Sequence, residues 1–403
     1  MKHPLYYCFL VMYITITTAC FSSEQTQSLT INTMYGDFTV TEPVLIELFN
    51  SPVMERIKYI RQHGTLDYII KQKKEYTRYE HCVGVWALLR MYDATLEEQI
   101  AGLLHDASHT VFSHVADVLF NHTSLHSSYQ DDIHEWFLTQ YNINELLARH
   151  NLSLESVLHK SGDHTMLEQD LPNLCADRLD YNFREALLTD VLTLDDIATI
   201  LDDLHFADDN WFFTNADSAK KLAIASLMST EYVWSSHANQ FIYTWTARAL
   251  RRALDIGLLT ADDIHFSTDP IVWDTLWLSN DEMIADCLKI IVNYQPIAEE
   301  RGATTPLIGK FRGLNPWVLE NNQLQQLTDI DTDYDNEYNR VKKRIVQTAR
   351  KKWNYDEAVF DFLLSDSSTP LHCNGRSQTH KAKNSCETNP HTTTSSSSLS
   401  NRK

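Results

Sequence analysis

Leu104-His105-Asp106-Ala107-Ser108-His109-Thr110-Val111-Phe112-Ser113-His114 places three histidines and an aspartate within one short stretch. Ile100, Leu103 and Leu104 lead into it at helical spacing, and Thr95-Leu-Glu-Glu98 ahead of it has the form of a capping box. The pattern predicts a helix over 96–108, with His105 and His109 one turn apart on one face and Asp106 at the edge of that face. An imidazole beside a carboxylate offers the mixed nitrogen and oxygen donors that suit borderline-to-hard divalent metals. An isolated His-Asp pair is usually a surface pair. This one lies in an apolar helix, where ionisable groups without partners are costly.

Two more candidate ligands stand at workable distances along the chain. His81 ends Thr77-Arg78-Tyr79-Glu80-His81 and opens the apolar run Val83 to Met91. Asp177 sits in Cys175-Ala176-Asp177-Arg178-Leu179-Asp180-Tyr181, where Asp180 and Tyr181 fall on its helical face. Alone, Asp177 reads as an N-cap or a solvated carboxylate; with His81, His105 and Asp106 beside it, it reads as a fourth ligand.

The set resembles the H…HD…D signature of the HD-domain metal-dependent phosphohydrolases. Arg78-Tyr-Glu-His81, the His105–His114 stretch and Asp177-Arg-Leu-Asp180-Tyr181 are similar to blocks of the deoxynucleoside triphosphate triphosphohydrolases. That branch includes the sterile-alpha-motif/HD enzyme of animal cells and bacterial relatives. The likeness spans residues 32–190. It implies an all-α fold, an HD-domain helical bundle with a helical C-terminal extension that completes the pocket and builds a homodimer or homotetramer.

The resemblance also implies site roles. His81, His105, Asp106 and Asp177 would hold one divalent ion (manganese, magnesium, iron, zinc or nickel). Arg78 and Arg178 would meet phosphate, Tyr181 phosphate or sugar, and His114 the substrate, with His109 near the scissile phosphate. Gln62 matches the first member of a Gln-Leu pair that touches the sugar, while His63 stands where the Leu would be. Gln62 reads equally as a polar residue closing a helix over 43–59. For the general acid, a carboxylate-held imidazole poised near neutrality, we choose His134 oriented by Asp117, ahead of His122 and His126, because His134-Glu135 heading an apolar stretch is similar to the family's block. The implied reaction is attack on the α-phosphorus of a deoxynucleoside triphosphate, dGTP-like, releasing deoxynucleoside and inorganic triphosphate. Two alternatives stay open: another nucleotide phosphoester, or a non-catalytic nucleotide-binding effector.

Composition bounds the rest. The 403 residues are 43% hydrophobic, enough for one or two domains, and 10 Gly with 10 Pro argue against a turn-dense β fold. A net charge of −20 excludes broad nucleic-acid binding, which needs a basic footprint. Seven cysteines without C-x-x-C spacing indicate neither a zinc knuckle nor a disulfide framework.

The expected organisation has four parts. Lys2 and His3, the apolar run Leu5–Ala19 and Thr17-Thr18-Ala19-Cys20 form a signal peptide or lipoprotein signal over 1–20. Membrane contact would come only through lipid at Cys20. The signal points to export, whereas the resemblance points to an intracellular enzyme. The HD domain is expected at 32–205, the helical extension at 206–364 and a disordered Ser/Thr-rich tail at 365–403. In the extension, 329–335 reads as a solvated acidic loop. Arg340–Lys352 reads as a basic helix, either an exposed or oligomer-facing side or a phosphate-binding face.

Overall fold

Pro43 and Pro52 each open a short helix, because a fixed φ and a missing N–H cost nothing in a first turn. The single helix expected over 43–59 is therefore two, α1 (Pro43–Phe49) and α2 (Pro52–Ile57), broken at Ser51. The computed structural model describes residues 27–69, 75–122, 127–158, 164–294 and 311–349. These all fall in the unit Met1–Trp353. The expected signal segment and the Ser/Thr-rich tail lie outside the described residues.

The molecule is mostly α, as expected of an HD bundle. A hairpin of β1 (Leu29–Thr33) and β2 (Gly36–Val40) comes first and lays Phe38 edge-on against Trp86. After α3 (Leu66–Ile69) come the two helices that frame the site, α4 (Arg78–Met91) and α5 (Leu96–Leu104). The chain continues through α6 (Val115–Leu119), α7 (Tyr129–Gln140), α8 (Ile143–Arg149), α9 (Ala176–Leu188) and α10 (Leu194–Asp202). Then follow β3 (Leu204–Ala207), β4 (Asn210–Phe213) and α11 (Ala216–Ser229), which runs into a π-turn, Thr230–Trp234. Helices α12 (His237–Asp255), α13 (Ala261–Phe266), α14 (Asp269–Trp277) and α15 (Glu282–Val292) precede β5 (Trp317–Glu320) and β6 (Gln323–Gln326). The described chain closes with α16 (Leu327–Ile330) and α17 (Thr332–Ala349).

The small sheets are what an all-α reading lacks. β3-β4-β5-β6 form one sheet, antiparallel except for β4 beside β5. Each strand has four residues, too few for alternation to register as a pattern. The hairpin tips do carry a signal. Asp208-Asp209 and Asn321-Asn322 all have positive φ, the tight-turn chemistry that Asp and Asn tolerate best. The acidic segment 329–335 is likewise helical in α16 and α17 rather than a loop.

One core joins residues on both sides of position 205. Val85 and Leu89 of α4, Leu179 and Phe183 of α9, Trp211, Phe213, Leu222 and Tyr334 all belong to it. On α17, Arg340 and Arg344 turn onto the buried Glu231 of the π-turn, so these two cations are already engaged.

Candidate metal centre

Three helix ends bring the four expected ligands together. Thr77 and Glu80 form a reciprocal capping box that starts α4 and puts Arg78 and His81 in its first two turns. Helix α5 ends at Leu104, and His105 is its C-cap. Asp177 lies in the first turn of α9. The helix expected to run to 108 therefore stops short. His105 and His109 are not stacked on one helical face, because Ala107 and His109 close onto Leu104 and Asp106 in turns. The capping box expected ahead of α5 is half present. Thr95 accepts from the Glu98 N–H, but the Glu98 carboxylate accepts from the N–H groups of Met166 and Leu167 instead.

The donor atoms converge. His81 Nε2 lies 3.2 Å from His105 Nε2, 3.0 Å from Asp177 Oδ1 and 3.6 Å from Asp106 Oδ2. His105 Nε2 lies 3.4 Å from Asp177 Oδ1 and 3.8 Å from Asp106 Oδ1. The outer nitrogens are pinned. His105 Nδ1 faces the Gly102 carbonyl at 2.7 Å, and His81 Nδ1 faces Asp180 Oδ2 at 2.7 Å. A carbonyl only accepts, so Nδ1 of His105 carries a hydrogen, and the neutral form of the ring would turn a lone pair inward from Nε2.

Charge follows the same geometry. Burial opposes the Asp106 anion, yet Arg78, His109 and His105 hold its carboxyl well below the usual range. Burial also opposes charge on His105 and His81, and the facing carboxylates nevertheless raise both. Two imidazoles drawn towards protonation by two depressed carboxylates mark a place that favours positive charge. His81, His105 and Asp106 by themselves gather closely enough to hold an ion, and Asp177 Oδ1, 3.0 and 3.4 Å from the two imidazoles, adds a second carboxylate that suits a divalent metal. A second grouping of Glu168, Cys175 and Asp177 does not call for another ion, since Arg178 already pairs with Glu168 at 2.8 Å.

The remaining expected residues divide. Arg78 is buried and donates to Asp106, to Ser113 Oγ at 3.1 Å and to the Gln62 carbonyl at 3.3 Å. His109 Nε2 lies 3.3 Å from Asp106 Oδ1, and its buried Nδ1 has no protein partner. Burial and the Arg78 cation push the His109 ring down to about 3, so it is neutral at ordinary pH. The His114 ring stands 5.0 Å from that of His109. Gln62 comes to the same edge, with its Oε1 buried and unpartnered. Tyr181 sits 6.4 Å from the His81 ring, with Trp234 edge-on beyond it at 5.2 Å. Burial pushes its phenol up to about 12, against Arg312 and Arg178.

Two expectations are corrected. Asp117 binds His114 Nδ1 at 3.0 Å and accepts from the Tyr129 N–H at 2.7 Å, while His134 Nδ1 faces Ser108 Oγ at 2.8 Å. The carboxylate-held imidazole is thus His114, because α6 begins at Val115 and keeps His114 and Asp117 within one turn. Arg178 is spent on the loop before α9, donating to the Asn173 carbonyl at 3.0 Å and to Glu168. Of the rival histidines, His122 pairs with Asp132 at 2.8 Å, and His126 lies outside the described residues.

The sequence reading placed Asp180 on the face of Asp177 but missed its supporting role. Asp180 is fully buried and binds His81, the Tyr35 hydroxyl at 2.8 Å and Arg184 at 2.7 Å. Gly84 leaves room for it, since a Cβ there would lie 1.8 Å from Asp180 Oδ1. A glycine one turn after His81 inside an apolar helix was the available signal.

A helical bundle whose H…HD…D residues converge at helix ends defines a phosphohydrolase of the HD type. The HD-domain family profile matches residues 78–182, the segment that carries all four candidate ligands. The chain is 34% identical over 258 residues to the uncharacterized protein YdhJ of Bacillus subtilis, covering 64% of this chain and 78% of that one. It is 29% identical over 305 residues to the metal-dependent phosphohydrolase cns2 of Cordyceps militaris, covering 72% and 85%. A shorter match, 27% over 134 residues, joins it to the deoxynucleoside triphosphate triphosphohydrolase SAMHD1 of Gallus gallus, 28% of this chain and 22% of that one. The chain belongs to the HD-domain metal-dependent phosphohydrolases.

Proposed function

We propose that this chain hydrolyses nucleotide phosphoesters, with deoxynucleoside triphosphates first among the substrates and deoxynucleoside plus inorganic triphosphate as products. What supports the reading most is the convergence of His81, His105, Asp106 and Asp177 with Arg78, His109 and His114 along one edge. The four ligands would hold one divalent ion. When bound there, such an ion supplies Lewis acidity and lowers the pKa of water.

The chain's own groups supply the rest. Arg78 fixes Asp106 and sets a cation beside the phosphate position. Neutral His109 donates from Nε2 to Asp106 and turns its unpartnered Nδ1 to the reacting side as an acceptor. His114, held by Asp117 with both side chains about a third exposed (33% and 29%), delivers a proton to the leaving oxygen. Buried His134 supports the His105–His114 stretch through Ser108. Tyr181 and Gln62 border the nucleoside side.

A second reading, a nucleoside monophosphate or cyclic nucleotide as substrate, is favoured by two observations. Arg178 is engaged away from the site, which leaves fewer cations for a triphosphate. His63, in the place of the family's Leu, has both ring nitrogens taken by carboxylates.

A product assay separates the readings. The full chain with Mn²⁺ or Mg²⁺ is incubated with each of the four deoxynucleoside triphosphates, with monophosphates and with cyclic nucleotides. Inorganic triphosphate released by the wild type and lost in Asp106→Ala is expected. Turnover of monophosphates or cyclic nucleotides alone would replace the first reading with the second.

A further inference from the structure

The turn between His109 and His114 is held in an unusual conformation from outside the HD helices. Phe112 and Ser113 have φ of 59° and 54°, consecutive left-handed residues without a glycine. Such backbone persists only where its surroundings over-determine it. Besides the Arg78 bond to Ser113 Oγ, the surroundings here come from two places. One is the segment after α2, where the Arg61 carbonyl accepts from Ser113 Oγ at 2.6 Å and Gly64 packs so closely that a Cβ would lie 2.2 Å from the Phe112 oxygen. The other is the corner between α13 and α14. There the Val111 N–H donates to the Ile264 carbonyl at 3.1 Å, and Arg56 bridges the Ser267 carbonyl at 3.0 Å to the His109 carbonyl at 2.9 Å.

Asp269 joins the two. It is fully buried in the first turn of α14. Its Oδ1 accepts from the Phe112 N–H at 2.7 Å, its Oδ2 from the Arg61 N–H at 2.9 Å, and its own N–H donates to the Tyr59 carbonyl at 3.2 Å. A carboxylate is an uncommon choice for a fully buried position, and it is tolerated when backbone donors occupy both oxygens. Burial pushes its carboxyl up to about 7 against the bonds from Arg61 and Phe112, and both oxygens are spent on those two loop amides, so its bonds serve the turn.

We propose that Asp269 is a positioning residue: through the amides of Phe112 and Arg61 it fixes the turn that sets His109 and His114 against the metal ligands. The inference rests on the reading of His109 and His114 as working groups of the site. It gives α13 and α14 a task in the chemistry that needs no contact with substrate.

The test uses the full chain. Asp269→Asn keeps the volume but replaces one acceptor with a donor that faces a backbone N–H. With Mg²⁺ and dGTP, kcat is expected to fall about 10²-fold, as a misplacement near 1 Å does, with KM and metal content nearly unchanged. The ¹⁵N resonances of His109 and His114 should shift well below the melting temperature, which a purely structural role would not cause. Should Asp269→Asn fail to fold, Arg56→Lys removes the bridge to the His109 carbonyl, and a smaller loss in the same direction is expected. Folded variants with wild-type kcat and unmoved imidazole resonances would overturn the proposal. His114→Ala separates the two levels. If it keeps full turnover, or dGTP is not turned over at all, the site reading fails and the resonances alone judge Asp269.

Discussion

Among the described residues, two buried clusters of histidine and carboxylate invite comparison, and one of them is arranged for a metal. In the first, His81 and His105 point Nε2 at each other across 3.2 Å, with Asp106 and Asp177 beside them. In the second, His63 gives Nδ1 to Asp67 at 3.2 Å and Nε2 to Glu185 at 2.8 Å, and the Trp234 indole completes Glu185 at 3.3 Å. The composition is nearly the same; the difference is what each ring nitrogen meets. Two imidazole nitrogens face to face leave a place for an outside cation, whereas an imidazole between two carboxylates is itself the cation. Residue type does not separate a ligand from a staple, but the partner of the second ring nitrogen does.

Substitutions that exchange charge should therefore act in opposite ways. Asp106→Asn keeps an acceptor for Arg78 but removes a ligand charge, and it should abolish turnover and metal binding while the protein stays folded. His63→Leu should do the reverse. It leaves Asp67 and Glu185 buried without their cation, at about 3–5 kcal/mol of stability. Metal per folded molecule should hold, and adding Asp67→Asn with Glu185→Gln should return most of the loss. Chemical denaturation and elemental analysis read both effects. Metal loss in His63→Leu without destabilisation would mean that the two clusters are one.

A smaller change sharpens the difference within the metal cluster. Asp180→Asn keeps the side-chain shape but weakens the grip on His81 Nδ1, so metal affinity should fall about 10–100-fold, the usual scale for a partner that orients a ligand. Competition with a chelator measures it. Unchanged affinity would show that His81 is held by packing alone.

The clusters also differ in how far the sequence disclosed them. The gathering of His81, His105, Asp106 and Asp177 was legible through their resemblance to the H…HD…D signature, even though α5 ends at Leu104 and not at 108. The phase within the turn was not legible. Whether Asp117 meets His114 or His134 depends on where α6 begins and on the left-handed pair Phe112-Ser113, which no periodicity encodes. His63 looked like a lost contact in a known motif, because one of its partners lies 122 positions away on α9. Likewise the loop commitment of Arg178 depends on the carbonyl of Asn173, a backbone atom that carries no residue-type signal. The mostly helical class followed from periodicity and resemblance, while four-residue strands were too short to show.

The smallest expected effect is a slope in pH, and it belongs to the His63 cluster. Burial works against charge on this ring, but the Glu185 carboxylate and the Asp67 hydrogen bond outweigh it and hold the group at about 10, against 6.5 for an ordinary histidine. Between those values the folded chain keeps a proton that the unfolded chain has released, so stability must fall as pH rises. The contribution is complete below about pH 6.5 and is lost as pH climbs through about 10. One proton limits the slope to about 1.4 kcal/mol per pH unit. Denaturation midpoints taken from pH 6 to 10 should decline in the wild type and decline less in His63→Gln, which has no proton to release there. Parallel profiles for the two proteins would mean that His63 is neutral between its carboxylates, and the contrast with the metal cluster would then rest on geometry without charge.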